Sequence, residues 1–395
     1  MFIILIKQKV LSHEVIIIFK KRFVFVLSMV MTFSAIFSPL SRAEFTLESP
    51  RAVLIDGDSG RILFEKNANE VCSATSLMKI MNALLTIEAI ENGELEEHDN
   101  VTISDNASSI PGVNVWLKSG ENASVKDLLK AISMVSANDA AMALAEHLSG
   151  SEGKFVSRMN EKAAELGMKN TIFKNAVGSD DDGNVTTAYD VALMSSELIN
   201  HKSIIPYCAT WIDHIRSGST QLVNTNKLLK TYSGTTGIKT GTAEKSGSCI
   251  AATAEKNGIK LVGVILGAKT PDERFKEIKN MLDYGFSEFV KTSPPSEEIP
   301  QSIKVKNGML QEVPIKAENL QPILMPKKNS QNISSKVSLS EEITAPVQAG
   351  QKVGEVTYSQ NDNVLYVCNI TTTDSVNEIN FKDVFSNMMK TFLKR

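Results

Sequence analysis

The chain has 395 residues, 42% of them hydrophobic and 22% charged, and a formal net charge of −3. That is an ordinary globular composition with length for two domains, and the charge supplies no ground for nucleic-acid binding. The five histidines are scattered, and there is no Walker loop, Cys-x-x-Cys pair or Gly-x-Ser-x-Gly elbow, which argues against nucleotide, zinc and serine–histidine chemistry.

Lys20-Lys21-Arg22, an apolar run over 23–40 and the small residues of Ser41-Arg42-Ala43 predict a signal peptide, residues 1–43, cleaved after Ala43. Ser28, Thr32, Ser34, Ser38 and Pro39 dilute the run and weigh against an uncleaved anchor. In an exported chain one disulfide is allowed, but Cys72, Cys208, Cys249 and Cys368 make no framework and are expected as buried thiols.

Two apolar stretches, 52–55 and 62–64, flank Asp56-Gly57-Asp58-Ser59-Gly60 and predict a β-hairpin. Ser76-x-x-Lys79 then opens the apolar stretch 80–90, which predicts a buried helix. Three residues apart on a helix, a lysine amine reaches a serine hydroxyl. A serine needs a base to become a nucleophile, and the first helical turn adds unpaired N–H groups that favour developing negative charge. The same spacing recurs at Ser151-Glu152-Gly153-Lys154, between glycines and without an apolar helix behind it, and is expected to be a loop.

A second apolar helical stretch, 128–135, stops at Ser136-Ala137-Asn138, and a third, 139–148, ends at Gly150. Ser136 and Asn138 therefore sit at a helix–helix corner, either as plain caps or as side chains presented to a site. Asp180-Asp181-Asp182-Gly183 is expected to be a polar turn, because in EF-hand register Gly178 and Tyr189 fall where carboxylates are needed. Lys239-Thr240-Gly241 precedes two strand-like runs, 249–254 and 260–266, joined by a turn at 255–258. The pattern predicts an antiparallel sheet with Lys239 on or beside a strand, a fixed cation suited to gripping a carboxylate. A linker over 293–300 leads into short alternating strands over 301–376 around an Asn307-Gly308 turn. Over 377–395, Phe381, Val384, Phe385, Met388, Met389 and Phe392 fall on one helical face, with Lys382, Asp383, Lys390, Lys394 and Arg395 mostly opposite. That is either a helix packed on its own domain or an amphipathic helix lying at a membrane surface without crossing it, and the basic end of an exported chain favours the second.

Ser76-x-x-Lys79, Ser136-x-Asn138 and Lys239-Thr240-Gly241, in that order, are the motif trio of penicillin-binding proteins and class A β-lactamases. From about 44 to 289 the chain resembles the low-molecular-weight penicillin-binding proteins, the serine D-alanyl-D-alanine carboxypeptidases. Further likeness lies in Asn114-Val115-Trp116-Leu117, Thr186-Thr187-Ala188-Tyr189-Asp190, Asn224-Thr225-Asn226-Lys227-Leu228-Leu229 and the run 237–267. The β-rich tail domain and the terminal helix also look like that family. The chain departs from it at Ala74, where the family often has proline, and at Ser179, where it often has leucine.

The resemblance implies an α/β (α+β) transpeptidase/β-lactamase-like domain over 44–292, its antiparallel sheet flanked by helices, followed by the small all-β domain and the helix. It implies a peptidoglycan stem peptide ending in D-Ala-D-Ala as substrate, β-lactams as inhibitors, and neither metal nor cofactor. Ser76 would be the acyl-ester nucleophile, Lys79 the base, Ser136 a proton relay and Asn138 an orienting residue for Lys79 and the substrate. Lys239, Thr240, Gly241 and Thr242 would bind the substrate, with the backbone N–H groups of Ser76 and Thr242 as oxyanion hole. The protein would sit at the outer face of the cytoplasmic membrane, held peripherally through residues 378–395. A serine β-lactamase and a non-catalytic wall-binding protein are the alternatives. The first lacks its Glu-x-x-Leu-Asn, since Glu197-Leu198-Ile199-Asn200 is one residue short.

Overall fold

The computed structural model describes residues 45–73, 76–179, 183–243, 245–293, 299–318, 322–329, 333–360 and 363–382, with Phe385 and Met389. The expected signal peptide, Ala74, the acidic run 180–182, the centre of the expected linker and most of the expected terminal helix lie outside the described residues.

Strands β1 (Arg51–Asp56) and β2 (Ile62–Lys66) make the expected hairpin. A 3₁₀ turn, Ser76–Met78, runs into α1 (Lys79–Glu91). Next come α2 (Val125–Lys130), a π-helical turn at Ala131–Val135, and α3 (Asn138–Ser149). They are followed by α4 (Glu152–Glu165), α5 (Ala188–Asn200) and the short α6 (Ile205–Ala209). Strands β3 (Thr235–Ala243), β4 (Gly247–Lys256) and β5 (Ile259–Ala268) follow, then α7 (Pro271–Glu288). The sheet runs β2-β1-β5-β4-β3, antiparallel throughout.

Both faces of this sheet are covered, which is why β4 and β5 are almost continuously apolar rather than alternating. Val53, Ile55, Val262 and Val264 join the core built on α1. On the other face, Gly285 of α7 lies so close to Leu261 and Leu54 that a Cβ there would come within 2.5 Å and 2.9 Å of them. Helix α7 starts where its sequence says it should: Thr270 caps the Glu273 N–H, Pro271 opens the first turn, and Asp272 and Glu273 complement the dipole.

Helix α1 is buried all round from Lys79 to Ile87, as its mostly apolar run requires. Leu77, Met78, Ile80, Met81, Leu84 and Ile87 are each 1% exposed or less, and side chains of this size contribute ~1.5–3 kcal/mol each on full burial. Their packing fixes the helix, and with it the placement of Lys79.

The Ser151 stretch departs from expectation. Gly150, at φ +75°, ends α3, and Ser151 caps α4 by accepting the Lys154 N–H. The two glycines that suggested a loop are the stop of one helix and an exposed position in the first turn of the next.

Beyond α7, β6 (Phe289–Thr292) pairs with β9 (Ile323–Pro326), so the last strand of the segment expected to close the first domain is tied to the second. The β-rich region comprises β7 (Ser302–Lys306), β8 (Glu312–Ala317), β10 (Ser334–Leu339), β11 (Glu342–Thr344), β12 (Lys352–Gln360) and β13 (Asn363–Thr372). They form one sheet in the order β10-β12-β13-β8-β7-β11, with a core of its own that includes Val313, Val356, Tyr358 and Ile370.

Candidate active site

Strand β3 is where the three motifs meet. The turn holding Ser76 packs on it, and so does the π-helical turn that ends at Ser136. Ser76 is half-buried, and its hydroxyl has no hydrogen bond among the described residues. Helix α1 begins with neither a side-chain cap nor an acidic residue in its first turn.

Lys79 is 1% exposed and donates to the Val177 carbonyl at 2.7 Å. Lys239 is 3% exposed, and its ammonium has no hydrogen-bond partner among the described residues. The two lysines line one small cavity with Ala83, Ser133, Cys208 and Ile238. Burial first, and then the neighbouring Lys239 cation, hold the Lys79 amine well below its ordinary 10.5. Burial pushes Lys239 down to about 7; the Cys208 thiolate form opposes that shift and Arg274 adds to it. Ser76 and Ser136 do not line this cavity.

Ser136 stands at the corner in a left-handed conformation, φ +67°, buried, its hydroxyl unpaired among the described residues. A π-helical turn and a non-glycine residue at positive φ are both features that cluster at functional sites. Helix α3 has Ala137 at its cap position with no side-chain cap bond, so neither Ser136 nor Asn138 serves as the plain cap. A hydroxyl chain ties this corner to β3: Thr240 Oγ1 donates to Thr225 Oγ1 (2.8 Å), and Thr225 Oγ1 and N–H reach the Met134 carbonyl (3.4 and 3.0 Å).

Asn138 differs from expectation. Its Nδ2 donates to the Pro111 carbonyl (2.7 Å) and its backbone N–H to the Val113 carbonyl (2.7 Å), so it is clamped by the loop 111–113 and not bonded to Lys79. Gly112, at φ +103°, makes this possible, since a Cβ there would stand 2.5 Å from Nδ2. Lys79 is held by its own donation to the Val177 carbonyl.

Three contributors escaped the sequence reading. Arg274 of α7, 7% exposed, donates to the Gly241 carbonyl (2.7 Å), Thr242 Oγ1 (3.0 Å) and the Cys249 carbonyl (3.3 Å), bracing the end of β3. Nothing in the helical pattern of α7 marks it. Asn82, one turn after Lys79, donates to the Ala141 carbonyl (2.9 Å) and the Ala176 carbonyl (3.4 Å), joining α1 to α3 and to the loop that holds Lys79. An asparagine inside an otherwise apolar helix was the available signal. Thr225 stands within Asn224-Thr225-Asn226-Lys227-Leu228-Leu229, where no local pattern sets it apart.

None of the four cysteines forms a disulfide, and Cys208, Cys249 and Cys368 are buried. Glu88, Glu197 and His201 bring ligand atoms within 4.8 Å of one another. Lys162 already supplies a cation there, 2.5 Å from Glu88.

A helix-flanked antiparallel sheet, a serine on the turn leading into the buried helix, a lysine one turn on and a second lysine on the outermost described strand define the transpeptidase-like class of serine enzymes. Comparison with known proteins narrows this. A family model described as D-alanyl-D-alanine carboxypeptidase matches residues 38–270, and one described as the C-terminal domain of penicillin-binding protein 5 matches 291–378. The D-alanyl-D-alanine carboxypeptidase DacF of Bacillus subtilis is 36% identical over 359 residues, covering 89% of this chain and 90% of its own. The structure of penicillin-binding protein 5 from Haemophilus influenzae aligns with a TM-score of 0.75 at 28% identity, over 84% of this chain and 98% of that one. Penicillin-binding protein D2 from Listeria monocytogenes, solved in an ampicillin-bound form, aligns with a TM-score of 0.56 at 33% identity, over 61% of this chain and 98% of that one. The chain belongs to the D-alanyl-D-alanine carboxypeptidase family.

Proposed function

We propose that this protein removes the terminal D-alanine from peptidoglycan stem pentapeptides through an acyl-enzyme on Ser76, and that penicillins trap the same serine. The observation that carries the reading is the shared cavity of Lys79 and Lys239, one lysine on the serine's helix and the other on β3. Lys239, with Thr240, takes the substrate's terminal carboxylate, and that anion returns to Lys239 the charge that burial disfavours. Positioning the carboxylate converts an encounter into an aligned attack. Lys79, held neutral by burial and by Lys239, accepts the Ser76 proton as the serine oxygen attacks the penultimate carbonyl. The N–H groups of Ser76 and Thr242 receive the oxyanion, a donor being worth ~2.7–4 kcal/mol. Ser136 passes the proton to the departing D-alanine nitrogen, Asn138 and Gly241 line the substrate's path, and water hydrolyses the ester.

Action at the outer face of the cytoplasmic membrane is part of the same proposal. Among the described residues no helix is long and apolar enough to cross a membrane. Phe381 is 84% exposed and stacks on Phe385, with ring centroids 6.0 Å apart, which supports reversible surface attachment through 378–395.

The test is to incubate the protein with a pentapeptide ending in D-Ala-D-Ala and weigh the product. Loss of one alanine, blocked by prior penicillin, is expected. An intact peptide alongside rapid penicillin hydrolysis would overturn the reading in favour of a β-lactamase.

A further inference from the structure

We infer that Asn175 is a positioning residue for the Lys79 amine, acting through the single peptide plane between Val177 and Gly178. The inference rests on the reading of Lys79 as the base. Asn175 is 7% exposed, and its Oδ1 accepts three successive backbone N–H groups: Val177 at 3.2 Å, Gly178 at 2.7 Å and Ser179 at 3.2 Å. The shortest of these matters most. In a trans peptide the N–H and the preceding C=O point in opposite directions. With the Gly178 N–H fixed on Asn175, the Val177 C=O on the far edge of the same plane is aimed at Lys79 Nζ, 2.7 Å away. Gly178 takes φ +69° to complete this turn. The loop is anchored on both sides, by Asn82 on the Ala176 carbonyl and Glu152 on the Ala176 N–H (3.0 Å).

A neutral lysine amine has two N–H donors and one lone pair. With one N–H engaged by Val177, rotation about the terminal bond is restricted, leaving the lone pair two of its three staggered directions in which to accept a proton. The polar groups around this amine are Lys239 from β3, Cys208 from α6 and the Ser133 hydroxyl of the π-helical turn, with Arg274 of α7 beyond Lys239. The Val177 carbonyl is the dipole bonded to the amine, and it favours the charged form. Turning it away therefore lowers the amine's proton affinity as well as loosening its aim.

The test is the pH dependence of acylation by benzylpenicillin, whose acidic limb follows deprotonation of the base. In Asn175→Ala the acidic limb moves to lower pH and the plateau rate falls about 10–100-fold, the scale of a misplaced reacting group. In Asn175→Asp the three N–H contacts persist beside an added negative charge, so the limb moves to higher pH. Asn184→Ala is the control: Asn184 holds the Lys174 N–H (2.7 Å) and the Ser179 carbonyl (2.9 Å) of the same loop, and its loss lowers the melting temperature with the limb in place. If the wild type is not acylated, the reading of the site fails. If it is acylated and the Asn175→Ala limb does not move, whatever happens to the plateau, the inference fails. Should Asn175→Ala not fold, an unmoved limb in Asn175→Asp is equally contrary.

Discussion

Lys79 and Lys239 are both buried, and neither is paired with a carboxylate among the described residues. A group whose folded pKa lies below its unfolded value makes the unfolded chain bind more protons in between, so stability rises with pH across that interval. For Lys239 the interval runs from about 7 to its ordinary 10.5, and Lys79 acts in the same direction. Cys208, pushed up to about 11 by burial, acts oppositely once unfolded thiols ionise near 9. Urea unfolding at about pH 6.5 and about pH 8.5 is therefore expected to show greater stability at the higher pH, with a shallower rise in Lys239→Met. A flat profile, or an equal rise in the variant, would show that the lysine is not held as described. The motif residues themselves were legible because each stands on a local signal: the apolar run after Ser76, the break at Ser136, the strand around Lys239. Their partners were not, because Val177 lies 98 residues from Lys79 and Arg274 lies 33 residues from Gly241. Asn138 shows the same limit. Its position at a corner was readable, but its bond to Pro111 depends on how a separate loop folds back.

At the scale of elements, periodicity carried furthest where burial is one-sided or total. The β1–β2 hairpin, α1 and the β3–β4–β5 meander fall where apolar patterning puts them. The α4 start was missed because a glycine pair suggests a loop when the serine between them is in fact a cap. The π-helical turn before Ser136 has no sequence signature, since it depends on inserting one residue into a packed helix. The proposed membrane element is testable by itself. Among the described residues the Ile379 N–H donates to the Asn307 carbonyl (2.8 Å), and a chain ending at residue 380 keeps that bond. The mature full-length protein is expected to cosediment with anionic phospholipid vesicles and the shortened one to stay in the supernatant. Equal cosedimentation would rule the segment out as the attachment site.

Across the whole molecule, the order of the motifs along the chain becomes convergence in space because β3 is an edge strand. With β4 on one side only among the described residues, it packs against α6 and against the turns of Ser76 and Ser136. Arg274 braces its end, the Thr240–Thr225 hydroxyls tie it to the corner, and α1 holds Lys79 in the core behind it. The β-rich region is joined to this frame through the β6–β9 pair and contributes none of the residues assigned to the reaction. One covalent event at one atom is expected. Protein treated with fluorescent penicillin, digested and mapped by tandem mass spectrometry, is expected to carry the label on Ser76, with Ser76→Ala unlabelled and Lys79→Ala labelled far more slowly. A label on any other residue, or a stable adduct in Ser76→Ala, would contradict it.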